Sequence, residues 1–197
     1  KSANPCAINP PKSSGNRPVT KKENEFSLLL KLEHALNTFQ FDVTGLSCAD
    51  LGCNVGGFTD CLLQRGATKV HAVDTGYGTL AWTLRSDSRV VTHERTNALH
   101  FEPTEHVDFV AIDLGWTPQK LALPAGLQWL QGGHILTLVK PHYELSNDEK
   151  SSESVGKGLS EEAIGQVIER VKQLCDSLQL EIIGETISPI KGKKSSK

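Results

Sequence analysis

Methionine is absent from this sequence, which opens on Lys1, and the two facts together suggest an incomplete sequence. Long apolar runs are also missing. None approaches the roughly 18 residues of a membrane span, so the composition excludes an integral helical membrane protein. The N-terminus has no signal-peptide pattern, and a cytoplasmic location is expected. Neither sign of charge prevails: the net charge is −2 and the pI is near 6.4. Any contact with nucleic acid must then rest on local basic clusters rather than on a global field. The five cysteines include no C-x-x-C pair, and they read as reduced, small core residues. Neither they nor the histidines suggest a metal site. No internal repeat is visible.

What is present is one α/β domain's worth of chain. Its 197 residues are 38% apolar and 22% charged, enough for a well-buried core. Residues 1–22 carry Pro5, Pro10, Pro11 and Pro18 with several Ser, Asn and Lys, and read as an extended basic arm. The domain is expected over 23–190 and a basic tail over 191–197. Residues 24–40 bear a broad helical apolar face that includes Phe26, Leu28, Leu32 and Leu36, with Lys31 set inside it.

From residue 46 onward, strands alternate with helices. The expected strands are Leu46–Gly52, Lys69–Asp74, Arg89–Glu94, Val107–Asp113, His134–Lys140 and Leu180–Ile187. The expected helices are Gly57–Arg65, Thr79–Leu84, Pro118–Leu130 and Glu161–Leu178, the last capped by Ser160. Gly132 and Gly133 are read as stopping the helix before strand five, and 144–158 as a polar surface loop. The alternation predicts a doubly wound, mostly parallel sheet with helices on both faces.

The chain is organised around Asp50-Leu51-Gly52-Cys53-Asn54-Val55-Gly56-Gly57-Phe58-Thr59-Asp60. A strand, a glycine-rich turn and a helix start make the junction where α/β proteins hold nucleotide-like ligands. Gly52 permits a sharp exit from the strand. Gly56 and Gly57 would let a ligand approach the backbone, and Asp50 would present an acceptor. On the glycines alone, a tight βα turn with no ligand is equally open. The spacing is G-x-x-x-G-G rather than the dinucleotide G-x-G-x-x-G, which suits a nucleoside ligand without a pyrophosphate and disfavours a nicotinamide oxidoreductase. Asp74 follows Asp50 by 24 residues, near the roughly 20-residue offset of a ribose-binding acid. Gly52–Gly57, Asp74, Asp113 and Lys140 all fall at the carboxyl ends of strands, the edge where such sheets bind ligands.

These residues carry a resemblance. Asp-Leu-Gly-Cys-Asn-Val-Gly-Gly-Phe-Thr-Asp-Cys-Leu-Leu-Gln-Arg-Gly-Ala resembles the cofactor motif of the FtsJ-like S-adenosylmethionine-dependent RNA 2′-O-methyltransferases. The similarity is closest to the TlyA, or hemolysin-like, rRNA methyltransferase branch. It continues through Ala-Val-Asp-Thr-Gly-Tyr-Gly-Thr-Leu-Ala-Trp, Glu-Arg-Thr-Asn-Ala, Leu-Val-Lys-Pro-His-Tyr-Glu, Val-Gly-Lys-Gly and Ser-Pro-Ile, covering roughly residues 30–192.

The resemblance implies a Rossmann-like class I methyltransferase fold, S-adenosylmethionine as cofactor and RNA, ribosomal by preference, as partner. It implies that Gly52, Gly56, Gly57 and Phe58 line the methionine and ribose side of the cofactor. Asp74 would accept from the ribose hydroxyls, and Asn97 would lie near the adenine. Asp113 would lie beside the cofactor too. Lys31, Asp113 and Lys140 match three members of the family's Lys-Asp-Lys-Glu catalytic set, with Lys140 as base and Lys31 as its electrostatic partner.

The match departs in four places. Where the branch usually carries an N-terminal S4 RNA-binding domain, this sequence has only the short arm. Phe26-Ser27-Leu28-Leu29 stands for Ser-Arg-Gly-Gly. Leu114-Gly115-Trp116 stands for Val-Ser-Phe, and the family's glutamate would fall beyond Lys197. A catalytically weak homologue acting as an RNA-binding or assembly module is the alternative. A protein or small-molecule acceptor is a third reading.

Overall fold

Every strand of the sheet ends on the same edge. The structure, a computed structural model, describes residues 21–146, 149 and 159–190. The expected arm and tail lie outside these residues, save for Lys21 and Lys22. Of the expected loop at 144–158, only 144–146 and Glu149 are described. In chain order the elements are α1 (Lys21–Thr38), β1 (Ser47–Leu51), α2 (Gly57–Gln64), β2 (Lys69–Val73), α3 (Trp82–Arg85), β3 (Val90–His93), β4 (Val107–Ile112), α4 (Gln119–Leu127), β5 (Leu130–Thr137), α5 (Pro141–Glu144) and α6 (Glu161–Ser177). The strands form one parallel sheet in the order β3-β2-β1-β4-β5, the expected doubly wound arrangement.

Alternation along the strands splits the core in two, because successive side chains face opposite sides. Cys48, Val70, Ala72, Phe109 and Ala111 face α1 and α2, where they meet Leu32, Leu36, Phe58 and Leu62. Ala49, Leu51, Val73, Val110 and Ile112 face the other way, toward Ala122 of α4 and Trp129. Burial on both faces is what a parallel sheet requires. A smaller cluster, Leu123, Val171 and Cys175, seats α6 on α4. Ser160 Oγ accepts from the Ala163 N–H and caps α6 as expected. Cys48, Cys53, Cys61 and Cys175 are buried and unpaired.

Three elements differ from the reading of the sequence. The segment Leu180–Ile187 is not a strand: it pairs with none of the described strands, and Ile182, Ile183 and Ile187 are exposed. Side chains hold it instead. His34 Nε2 lies 3.2 Å from Thr186 Oγ1, Lys172 pairs with Glu185 at 3.1 Å, and Gly184 packs so close to Phe39 that a Cβ would stand 2.7 Å from its ring. Strand five starts earlier than expected, at Leu130. Gly132 and Gly133 lie within it, both with positive φ, at a register shift opposite Val107–Phe109. A Cβ on Gly133 would stand 2.3 Å from the Asp108 carbonyl oxygen, so the pair forms a bulge rather than a helix stop. The helix expected over Thr79–Leu84 is reduced to the four residues of α3.

Candidate active site

A cavity of about 690 Å³ opens across the carboxyl edge of the sheet. Every strand contributes to it through the residues at or after its end. Gly52 and Asn54 follow β1, Val73 and Asp74 close β2, and Thr96, Asn97 and Ala98 follow β3. Asp113, Leu114, Gly115, Trp116 and Thr117 follow β4, and Lys140 follows β5. Leu28 and Lys31 enter from α1. This size is typical of a small-molecule site.

One side of the cavity presents the Asp74 carboxylate, held by two backbone donors. Asp74 Oδ2 accepts from the Asn54 N–H at 2.9 Å and Oδ1 from the Gly76 N–H at 2.7 Å. Each oxygen keeps a lone pair for a ligand. The loop that delivers Asn54 turns on Gly52, at φ 94, whose N–H donates to the Val73 carbonyl at 2.9 Å. A Cβ there would stand 2.7 Å from the Asp113 carbonyl oxygen, so only glycine lets the β1 and β4 ends close together. Asn97 lines the same side, and its amide oxygen accepts from the Leu99 N–H at 3.0 Å.

The other side is charged. Lys140 pairs with Asp113, and its ammonium also donates to the Leu114 carbonyl at 3.0 Å. Lys31 faces the same space and makes no ion pair among the described residues. Tyr143 lies beside this pair, its ring centroid 5.4 Å from Lys140 Nζ and 5.1 Å from the Trp116 ring. Trp116 is 87% exposed and holds a left-handed conformation, φ 56.

Six residues read from the sequence as site residues meet in this cavity: Lys31, Gly52, Asp74, Asn97, Asp113 and Lys140. Asp50, Gly56, Gly57 and Phe58 do not line it. Asp50 is wholly buried and accepts from the Thr59 hydroxyl at 2.7 Å, tying β1 to the first turn of α2. Burial is the largest cause that raises its carboxyl to about 7; the Thr59 hydroxyl opposes, and Asp113 and Asp74 add to the rise. A Cβ on Gly56 would meet Leu84 Cδ1 at 2.2 Å and Leu80 Cδ1 at 2.8 Å, so this glycine admits neighbouring leucines rather than a ligand. Phe58 belongs to the core beneath α2.

Sequence reasoning passed over Asn54, Thr96, Thr117 and Leu28. Asn54 had a signal, since it sits inside the glycine run; its backbone donor, not its side chain, is what Asp74 uses. Among the described residues no group of three or more His, Cys, Asp or Glu could hold a metal ion. No described helix is long and apolar enough to cross a membrane.

A parallel β3-β2-β1-β4-β5 sheet with a cavity across its carboxyl edge defines a Rossmann-like domain. The chain belongs to the FtsJ-like methyltransferase family, whose profile matches residues 29–197. It is 41% identical over 149 residues to YqxC of Bacillus subtilis strain 168, a candidate rRNA methyltransferase, covering 71% of this chain and 51% of that one. It is 44% identical over 123 residues to TlyA of Mycobacterium tuberculosis strain CDC 1551, a 16S/23S rRNA (cytidine-2′-O)-methyltransferase, covering 60% and 46%. Among solved structures, a candidate hemolysin from Streptococcus thermophilus superposes with a TM-score of 0.79 at 33% identity, covering 92% of this chain and 64% of that one. The matched region thus spans about half the length of the first two relatives.

Proposed function

We propose that residues 23–190 form an S-adenosylmethionine-dependent methyltransferase domain whose acceptor is a ribose 2′-hydroxyl of RNA, ribosomal RNA foremost. The observation that carries this reading is the meeting of Lys31, Asp113 and Lys140 in one cavity with the ribose-type acid Asp74. The residues present fit the cofactor. Asp74 and the Asn54 turn suit its ribose, and Asn97 suits the rim beside its adenine. The bound cofactor supplies a methyl group on a sulfonium, which leaves as a neutral thioether.

The acceptor side is this chain's own work. A ribose hydroxyl is a weak acid, and in-line displacement depends on holding its oxygen in place. Lys140, anchored by Asp113 and the Leu114 carbonyl, holds that oxygen and in its amine form takes its proton. Lys31, from α1, adds positive charge where negative charge develops on the oxygen. A nucleic-acid acceptor is supported by two exposed aromatics, one of them paired with a cation. Tyr77 is 68% exposed, with the Arg95 guanidinium 4.3 Å from its ring centroid, and Trp116 stands at the cavity mouth. Such surfaces suit stacked bases and phosphates despite the chain's overall charge of −2.

The test is methyl transfer from tritiated S-adenosylmethionine to isolated ribosomal subunits, followed by alkaline hydrolysis of the RNA. A 2′-O-methyl group blocks cleavage at its own nucleotide, so label should emerge in dinucleotides. Label in mononucleotides would mean base methylation and overturn the acceptor. Cofactor binding without transfer would favour the RNA-binding or assembly module.

A further inference from the structure

Gln119 is buried, 3% exposed, and outside the cavity, yet its backbone N–H and both ends of its side-chain amide are aimed at the segments on either side of Lys140. Its Oε1 accepts from the Thr137 hydroxyl at 2.8 Å, and its Nε2 donates to the Leu138 carbonyl at 3.3 Å. Its own N–H donates to Glu144 Oε1 at 2.9 Å. Thr137 is the last residue of β5 and Lys140 follows three positions later. Glu144 is the last residue of α5, which starts immediately after Lys140. Lys140 is therefore bracketed by two contacts to one side chain and one backbone donor.

The bracket closes a ring. From Asp113 the chain runs through the cavity-lining residues Leu114–Thr117 to Pro118, the N-cap of α4, which has no side-chain donor or acceptor to offer. Glu144 supplies the cap from across the site, satisfying one of the N–H groups that a helix start leaves unpaired. From Gln119 the ring crosses to β5, passes to Lys140 and returns through its ion pair to Asp113. A buried amide with both ends satisfied is rigid, because breaking either bond leaves an uncompensated polar group.

We infer that Gln119, with Glu144 as its brace, is a positioning residue that sets where Lys140 stands relative to Asp113. This rests on the functional reading above and deepens it: the catalytic lysine is placed by a polar clasp between the start of α4 and the end of β5. Gln119 touches neither acceptor nor cofactor and acts through Lys140.

Gln119→Leu removes both side-chain bonds while keeping bulk, and Thr137→Val removes one of them. With tritiated S-adenosylmethionine and isolated ribosomal subunits, kcat should fall roughly 10- to 100-fold in Gln119→Leu, the scale of a 1 Å misplacement. The KM for S-adenosylmethionine should stay within about twofold, since Asp74 is untouched. Glu144→Gln keeps an acceptor for the Gln119 N–H and should retain wild-type turnover, whereas Glu144→Ala should not. The crystal structure of Gln119→Leu should show Lys140 Nζ beyond hydrogen-bond reach of the Leu114 carbonyl oxygen. Lys140 holding both its contacts in that structure would overturn the inference, as would wild-type kcat in Gln119→Leu. If the wild type transfers no methyl group, the functional reading fails, and the Lys140 position still decides the clasp.

Discussion

The backbone N–H of Asn54 reaches Asp74 Oδ2 across 2.9 Å and joins the glycine turn after β1 to the acid that ends β2. The turn is thus shaped by the same carboxylate that would receive the cofactor ribose. Removing that carboxylate should cost ligand contacts and loop order together. Asp74→Ala should weaken S-adenosylmethionine binding about 100-fold or more, taking two hydrogen bonds to a charged group as the loss. Asp74→Asn, which keeps one acceptor oxygen, should fall in between. Calorimetric titration checks both, and wild-type affinity in Asp74→Ala would remove Asp74 from the site.

Lys140→Met leaves the Asp74 side of the cavity intact. Methyl transfer should drop by roughly 100- to 10,000-fold, the usual contribution of a placed general base. Cofactor affinity should change little. A parallel loss of both would mean that the Lys140–Asp113 pair shapes the cavity rather than handling the acceptor proton.

Gly56 and Gly78 separate packing from backbone conformation. Both have positive φ, 104 and 64. A Cβ on Gly56 collides with Leu84 and Leu80, while one on Gly78 meets nothing within 4 Å. Gly78→Ala should cost about 1–2 kcal/mol for the left-handed backbone. Gly56→Ala should cost about 2–4 kcal/mol, with overpacking added. Urea unfolding of the two variants gives the difference.

Asp50 makes folding sensitive to rising pH between about 4 and 7. Its carboxyl is raised to about 7 in the folded chain, by burial above all, against an ordinary value of 3.8. The unfolded chain therefore ionises first. Stability from this group is full below about pH 4, falls as pH rises to about 7 and is level beyond, a loss on the order of a few kcal/mol. Asp50→Asn cannot ionise and keeps an acceptor for Thr59. Its stability relative to wild type should rise between pH 4 and 7, and a constant difference across that range would contradict the raised carboxyl.

The histidine pair on β2 and β3 acts in the opposite sense. His71 Nδ1 lies 3.0 Å from His93 Nε2, and burial is the largest cause lowering both rings from 6.5. Glu105 approaches His71 Nε2 to 3.1 Å and opposes the shift; the contact is an ion-pair distance without hydrogen-bond geometry. Stability from the neutral pair is present above pH 6.5 and lost as pH falls below it. Chemical unfolding of wild type between pH 7 and 5 should show this loss, and His71→Leu should flatten it.

Much of this architecture is written locally. β1, β2 and β4 are short, mostly apolar runs with a polar residue or a glycine after them, and the ends carrying Asp74, Asp113 and Lys140 converge because a parallel sheet aligns them. Leu180–Ile187 has the same branched, apolar look, but a strand is made by a partner, and no described strand pairs with it. Gly132 and Gly133 read as a helix stop because a bulge has no local signature apart from glycine; the opposing Asp108 carbonyl is what demands them. The glycine loop was half legible for a similar reason. Gly52 and Asn54 face the cavity, while Gly56 and Phe58 serve the contacts of α2 and α3. Gln119 was silent in the sequence, since nothing marks which polar residue of a helix start will be enclosed.

The setting of Trp116 gives the domain an optical probe of its own. Two of the three tryptophans, Trp82 and Trp116, lie in water, and Trp129 is enclosed by His71, His93 and Phe101. Trp129, being buried, should emit to the blue of the other two. In a Trp82→Phe background, the red emission belongs to Trp116 alone, at the cavity rim against Tyr143. A base or nucleoside that stacks there shifts or quenches that band, so occupancy of the site can be followed by fluorescence without any label.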